Sequence, residues 1–297
     1  MEFSLMTLNL FFIIFYKYML LHDKEELEEN YEEMLDVISE AGFKYVDILG
    51  MEVDCLGIDY VKEQLDKHNL KVNSYMFSQQ FAKTAADDAA NRALDTEIIN
   101  AGKQAVENAQ NLGTKTLMLI PQVREDMSGM SKDEIHANMI RRMTPIVSYA
   151  KEVGITTVIE DTPNLQLHLC STEDLKNVSA KIPEVRIVYD SGNMVLVDED
   201  PVKYFHNFEN EIAHVHLKDM QTTTNMQRRP DRGLDGRFWE TAPSGAGVID
   251  FKSICAAVKN SNFKGHPTIE FATSPEMSIP DALVASRVYF EKLWSEI

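Results

Sequence analysis

The stretch Val185–Asn193, VRIVYDSGN, decides the fold of this 297-residue chain. Its apolar run ends in a polar turn signal, as a buried β-strand does, and the run closes at Asp190, a residue type that ligates metals. Three more apolar runs close in a similar way, namely ITTVIE at Glu160, IAHVHL at His216 and HPTIEF at Glu270. One strand that ends in a metal-ligand type is common, but four in succession indicate a site.

The spacing of these four residues matches the β/α unit of a barrel. The steps are 190 − 160 = 30 and 216 − 190 = 26 residues, close to the roughly 30 residues expected when about 250 residues make eight units. The last step, 270 − 216 = 54 residues, requires a long loop. We therefore predict an α/β fold, a single (β/α)8 TIM barrel over residues 1–297, whose parallel strands all end at one mouth.

Three carboxylates and one imidazole suit Mn²⁺, Mg²⁺, Co²⁺ or Zn²⁺, so Glu160, Asp190, His216 and Glu270 are candidate ligands of one divalent ion. Three of them also have plainer interpretations. Glu160 could be a solvated strand-end charge, Asp190 a turn-forming residue in DSGN, and His216 a core histidine. His214 faces the same way as His216 but lies deeper in the strand, which favours a core role. The carboxylate of Glu270 lies in an apolar strand and needs a partner, which a metal supplies.

Composition excludes several function classes. The formal charge of −18, with no run of basic residues, disfavours nucleic acid as a partner. The three scattered cysteines provide neither a disulfide framework nor a CxxC site, which indicates a reducing, cytoplasmic location. We expect no membrane partner, and a homo-oligomer stays open.

The N-terminal segment FSLMTLNLFFIIFYKYMLL, residues 3–21, is long and apolar enough to suggest a membrane span or signal anchor. Glu2 is acidic where a signal needs a basic region, and no small-residue cleavage site follows. The barrel also needs a first strand. We therefore predict a strand over Phe3–Asn9, followed by an apolar loop above the mouth.

The remaining pattern alternates strands with amphipathic helices. A helix is predicted from its cap at Asp23 to Gly42, with an apolar stripe, and others follow caps at Ser131, Ser171 and Asp200. The other helices are predicted over Ile58–His68, Asn91–Leu112 and Phe251–Asn260 and from Asp281. The other predicted strands are Tyr45–Leu49, Lys71–Met76, Thr116–Ile120, Ile155–Ile159, Val185–Tyr189, Ile212–Leu217 and Thr268–Phe271.

The chain also resembles a known family. It carries EAGFKYVDI (40–48), VIEDTPN (158–164), IVYDSGN (187–193), HVHLKD (214–219) and GAGVIDFKSICAAVKNSNFKGHPTIEF (245–271). With these segments it resembles the xylose isomerase-like TIM-barrel superfamily of sugar phosphate isomerases and epimerases. The most specific segment comprises Gly245, Gly247, Ile249-Asp250, Gly265 and Ile269-Glu270. The resemblance implies that the four strand-end residues bind one divalent cation.

The resemblance also implies a small-molecule carbohydrate substrate and a reaction. A sugar, sugar phosphate or related hydroxy-carbonyl compound would be isomerised or epimerised through an enediolate, with Glu160 and Glu270 as the catalytic base and acid. Two alternatives stay open: a metal-dependent dehydratase of an inositol or shikimate-type keto compound, and a non-catalytic sugar-binding barrel.

Several residues are candidate substrate contacts. Asn193 follows the turn at Gly192 and points back to the site, while Lys218 either meets a substrate oxygen or pairs with Asp219. His168 is a further candidate, although a plain loop position fits it as well. The loop Asp219–Val248 is the expected place for a lid, a surface excursion or a dimer contact. It holds Arg237 and Trp239, our candidate contacts there, and Arg228 and Arg229.

This chain lacks residues that related enzymes of the superfamily carry, which narrows the range of expected substrates. Ketose 3-epimerases of the superfamily carry His, Glu and Arg where this chain has Asn193, Gln166 and Thr222, which argues against an enzyme of that type. A nuclease with three metals needs histidines at early strand ends, but strands two and three here end in Leu49-Gly50 and Met76-Phe77. Nuclease activity is therefore not expected.

Overall fold

Eight parallel strands close into a barrel in the computed structural model, which describes residues 1–21, 23–228, 230–274 and 276–297. The pairing order is β10-β1-β2-β3-β4-β5-β6-β7, and β10 pairs in turn with β7, so the barrel is closed and the predicted fold class is confirmed. The strands, in chain order, are β1 (Ser4–Met6), β2 (Tyr45–Leu49), β3 (Lys71–Gln79), β4 (Thr116–Pro121), β5 (Thr156–Ile159), β6 (Arg186–Asp190), β7 (Ile212–Thr222), β8 (Asp231–Arg232), β9 (Phe238–Ala242) and β10 (Thr268–Glu270).

Helices surround the barrel and begin where the sequence places caps. The side chains of Asp23, Ser131, Ser171 and Asp200 each accept a backbone N–H in the first turn of the helix that follows. The helices are α1 (Leu8–Leu21), α2 (Lys24–Glu40), α3 (Gly50–Leu56), α4 (Ile58–Lys67), α5 (Asp88–Asn111), α6 (Lys132–Glu152), α7 (Thr172–Ser179), α8 (Pro201–Phe208), α9 (Phe251–Asn260) and α10 (Ile279–Glu296). Short 3₁₀ helices cover Leu165–Leu167, Asn193–Val197 and Met226–Arg228.

The first strand is shorter than predicted, and the apolar loop expected after it is the helix α1. The run has neither Gly nor Pro to stop a helix, and the carbonyl of Thr7 accepts the N–H of Phe11, which starts the first turn. The Phe11 ring packs edge-on against Tyr31 of α2, with centroids 6.2 Å apart. Among the described helices, none combines the length and apolar character that a bilayer crossing requires.

The long loop between the metal-type residues of β7 and β10 contains an antiparallel hairpin. β7 runs past the barrel rim to Thr222, where it pairs with Trp239 of β9, and β9 pairs with β8. The predicted strand ended at Leu217, because the polar residues that continue it do not show the apolar pattern of a barrel strand. Part of the region Asp219–Val248 is therefore an ordered extension of the sheet.

The GAGVID segment is held by a single carboxylate. Oδ2 of Asp219 accepts the N–H groups of Gly245 and Gly247, both at 2.9 Å, and its Oδ1 accepts the N–H of Ile249 at 3.3 Å. Gly245 has φ +83°, a conformation that side chains disfavour. The segment thus needs glycine because the chain wraps closely around Asp219.

Substituting Gly247 with alanine is expected to destabilise the protein by about 1–3 kcal/mol, as overpacking does. A Cβ at this position would overlap Asp219 Oδ1 and the carbonyl oxygen of Met220. Thermal or urea unfolding measures the loss. Gly129→Ala is the matched control, since a Cβ there meets nothing within 4 Å, and equal stability of the two variants would contradict this account of the segment.

Candidate metal centre

The structure brings the four predicted ligands together at the C-terminal mouth of the barrel. Glu160 follows β5, Asp190 ends β6, His216 lies in β7 and Glu270 ends β10. One donor atom from each lies within 4.8 Å of the others. Nδ1 of His216 is 2.6 Å from Glu160 Oε1 and 3.3 Å from Glu270 Oε1. Strands that are far apart in sequence therefore deliver one compact donor set.

Asp190 presents one oxygen to this centre. Its Oδ1 accepts the backbone N–H groups of Gly192 and Asn193, both at 2.7 Å, so the SGN turn fixes the carboxylate. Its Oδ2 is buried and receives no hydrogen bond from the described residues. The ammonium of Lys218 lies 3.5 Å away, and a buried carboxylate oxygen is costly without a close partner. A metal ion bound by this oxygen would supply that partner.

Lys218 supplies the positive charge nearest to the centre. Its Nζ lies 2.9 Å from Glu270 Oε2 and 3.5 Å from Asp190 Oδ2, and it donates a hydrogen bond to Asn193 Oδ1 at 3.0 Å. Gly192 leaves room for this side chain, since a Cβ there would lie 2.9 Å from Lys218 Cγ and Cδ. The ammonium is therefore held at the edge of the donor set by close packing.

Burial and the nearby positive charges shift the pKa values of these carboxyl groups in opposite directions. Burial raises the pKa of Asp190 to about 7, and the ammonium of Lys218 opposes that rise. Burial also acts to raise the pKa of Glu270, but Lys218 and His216 lower it to about 2. Burial disfavours the charged form of Lys218, yet Asp190 and Glu270 hold its pKa well above the usual value. The centre is rich in negative charge that a divalent ion would stabilise.

The donor set fits a divalent metal ion. Three carboxylates and one imidazole form the mixed oxygen and nitrogen shell that Mn²⁺, Mg²⁺, Co²⁺ and Zn²⁺ accept. All three cysteines are free and none belongs to the set. The residues present therefore suit the single ion that the sequence predicted.

A family description for xylose isomerase-like TIM barrels matches residues 35–289. The chain belongs to the xylose isomerase-like TIM-barrel family. Among curated relatives, the inosose dehydratase of Lacticaseibacillus casei is 26% identical over 274 residues, covering 85% of this chain and 86% of that protein. The family membership that the sequence motifs indicated is thus confirmed.

Solved structures show the same fold. The D-allulose 3-epimerase from Methylomonas sp. superposes with a TM-score of 0.69 at 18% identity, covering 89% of this chain and 92% of that one. The IOLI protein, whose crystal structure has a binding zinc atom, gives a TM-score of 0.68 at 17% identity, covering 100% and 99%. At such low identities the likeness concerns the barrel only.

In this xylose isomerase-like barrel, the mouth holds a cavity of about 360 Å³ beside the donor set. Its apolar lining includes one residue from each of the first four strands: Met6, Leu49, Met76 and Met118. Glu160, Lys218 and Glu270 line it from the second half of the barrel. The reactive part of a bound molecule would therefore face these three polar side chains.

The predicted substrate contacts fall into two groups. Lys218 lines the mouth cavity, and the buried Asn193 accepts its hydrogen bond, with Asn193 Nδ2 donating to the Asp161 carbonyl at 3.0 Å. His168 is exposed, has φ +47°, follows a 3₁₀ turn and is not among the described residues that line the cavity.

The two candidates in the hairpin also lie outside the described lining of the cavity. Trp239 is buried in β9, with the guanidinium of Arg237 4.8 Å above its ring. That they contact substrate stays a prediction. Arg229 and the side chain of Arg228 lie outside the described residues.

Two buried carboxyl groups near the centre were not singled out from the sequence. Asp47 of β2 contacts His214 and His216, and Asp161 accepts a hydrogen bond from the Tyr204 hydroxyl at 2.8 Å. Burial and the nearby Asp190 and Glu160 carboxylates raise the pKa of Asp161 well above its ordinary value. Asp47 could have been recognised from the sequence, because it is an acidic residue within the apolar strand YVDIL and a buried carboxylate needs a partner.

Proposed function

We propose that the protein is a divalent-metal-dependent isomerase or epimerase of a sugar, a sugar phosphate or a related hydroxy-carbonyl compound. The proposal rests on one observation: Glu160 and Glu270, two members of the donor set, both line the mouth cavity. A divalent ion in this centre would polarise the substrate carbonyl and stabilise negative charge on its oxygen. The zinc atom of the IOLI neighbour supports the choice of a divalent ion.

The side chains of this protein would move the proton. One of the two carboxylates removes the proton from the carbon next to the carbonyl, and an enediolate results. The other carboxyl, or the same one, returns a proton to a carbon of the enediolate. Lys218, 2.9 Å from Glu270, supplies a fixed positive charge beside the reacting oxygens. Its partner Asn193 holds that ammonium in place.

A dehydratase is the second candidate, and two observations favour it. The inosose dehydratase of Lacticaseibacillus casei matches most of the chain. The ammonium of Lys218 lines the cavity and can donate a hydrogen bond to a departing hydroxyl group. The first step would be the same proton removal, after which the carbon–oxygen bond of a hydroxyl on the neighbouring carbon breaks and the protonated carboxyl returns its proton, so that the hydroxyl leaves as water.

Turnover in deuterated water is expected to distinguish an isomerase or epimerase from a dehydratase. After a screen of tetrose to hexose sugars, their phosphates and cyclic polyhydroxy ketones, an isomerase or epimerase gives a product of unchanged formula. That product carries deuterium on carbon, unless the carboxylate returns its proton before exchange. A dehydratase gives a product lighter by one water, and mass spectrometry distinguishes the outcomes. Turnover without deuterium incorporation, water loss or isomeric product would contradict the proton-removal mechanism.

A further inference from the structure

A second buried carboxylate lies directly behind the metal centre. Asp47 is fully buried, and its Oδ2 is 2.5 Å from Nε2 of His214 and 3.3 Å from Nε2 of His216. Its Oδ1 accepts hydrogen bonds from Ser4 Oγ and Asn73 Nδ2, both at 3.1 Å. Both oxygens of this carboxylate are therefore fully occupied, by side chains from both neighbouring strands and from β7 across the barrel.

The same imidazole connects Asp47 to the metal centre. Nε2 of His216 faces Asp47, whereas its Nδ1 faces Glu160 at 2.6 Å and Glu270 at 3.3 Å. The His214 ring lies 4.9 Å away, almost perpendicular at 86°, and shares the Asp47 oxygen. The His216 ring is thus fixed with one nitrogen toward each group.

Asp47, His214 and His216 also have the residue types of a metal site. Asp47 already has partners on both oxygens, because Ser4 and Asn73 donate to its Oδ1 and both imidazoles lie within hydrogen-bond distance of its Oδ2. His216 has only one nitrogen on this side, and Asp47 occupies it.

We propose that Asp47 is a positioning residue that keeps the proton of His216 on Nε2, so that the Nδ1 lone pair points at the metal. This proposal rests on the metal centre of the proposed function and goes beyond it, because it assigns a role to a residue outside the donor set. A carboxylate that accepts the second ring N–H of a ligating histidine fixes its tautomer and raises its basicity. Ser4 and Asn73 hold Asp47 from the other side.

The expected consequence is a loss of metal affinity in the Asp47→Asn variant. Asparagine keeps the shape of the Asp47 side chain but removes its negative charge and one of its two acceptor oxygens. The dissociation constant for Mn²⁺ or Co²⁺ should therefore rise by about 10–100-fold. Competition with a chromophoric chelator measures it, and the visible spectrum of the Co²⁺-loaded protein should change with the ligand geometry. Neither readout requires turnover.

Ser4→Ala is the matched control. It removes one hydrogen bond to Asp47 Oδ1 and leaves the Oδ2 contacts with both histidines. We expect Ser4→Ala to lose stability but to keep the wild-type metal affinity within about 3-fold. If folded Asp47→Asn binds the ion as tightly as wild type, or if Ser4→Ala loses affinity equally, the positioning role is overturned.

A measurement on the wild-type protein covers the case in which Asp47→Asn does not fold. In ¹⁵N-histidine NMR of the Zn²⁺-loaded protein, His216 should show a protonated Nε2 and a metal-bound Nδ1. The opposite pattern, a protonated Nδ1 on His216, overturns the proposal. A wild-type protein that binds none of these ions contradicts the metal centre itself and therefore this proposal with it.

Discussion

Complete removal of divalent ions is expected to abolish turnover and to lower the melting temperature. Three carboxylates converge at the mouth, and Asp190 Oδ2 receives no hydrogen bond from the described residues, so loss of a bound divalent ion would leave Lys218 as the cation that offsets their repulsion. An ion present at about 100 times its Kd stabilises a fold by about 2.7 kcal/mol. Activity assays and thermal unfolding before and after dialysis against a chelator measure both effects.

Addition of Mn²⁺, Co²⁺ or Mg²⁺ should restore both activity and melting temperature. The control is the same dialysis without chelator, which should leave the two unchanged. A preparation shown to be metal-free that turns over at the full rate would contradict metal dependence.

Replacing either proposed catalytic glutamate with glutamine should lower kcat by about 10²–10⁴-fold. Glu160→Gln and Glu270→Gln keep the side-chain shape and one oxygen ligand, but an amide cannot accept the substrate proton. If the two carboxylates act together, as proposed, the double variant should be scarcely slower than the slower single variant. Steady-state kinetics together with metal content in each variant tests this expectation.

Glu97→Gln, at an exposed position of α5, is the control for the chemical change and should behave as wild type. If both site variants retain the metal and near-normal turnover, the assignment of acid and base is wrong. Lys218, which lines the same cavity, would then be the next group to test.

The barrel was predictable because its signals are local and repeated. Apolar runs separated by capped helices define strands, and the apolar stripe of α2 is buried at the positions that its spacing indicates: Leu27, Tyr31, Met34, Leu35 and Ile38. The convergence of Asp190, His216 and Glu270 follows from the same topology, since parallel strands share one carboxyl end. One rule of topology therefore locates residues 80 positions apart, as 270 − 190 = 80.

Other features depend on contacts that the local pattern does not contain. The apolar run of α1 fits a loop, a strand or a helix until its packing on α2 is known, and Phe11 against Tyr31 shows that packing. Asp47 lies among apolar neighbours, and its partners come from β1, β3 and β7. The position of Trp239 depends on a hairpin whose strands pair only after β7 leaves the barrel.

Anomalous diffraction from a crystal soaked in Mn²⁺ or Co²⁺ tests the metal centre most directly. The account predicts one strong peak at the barrel mouth, about 2.0–2.3 Å from oxygens of Glu160, Asp190 and Glu270 and from Nδ1 of His216. No peak is expected between Asp47 and His214. The absence of a peak at the barrel mouth at saturating metal would contradict the account. An ion held instead by Asp47, His214 and Nε2 of His216 would contradict it as well.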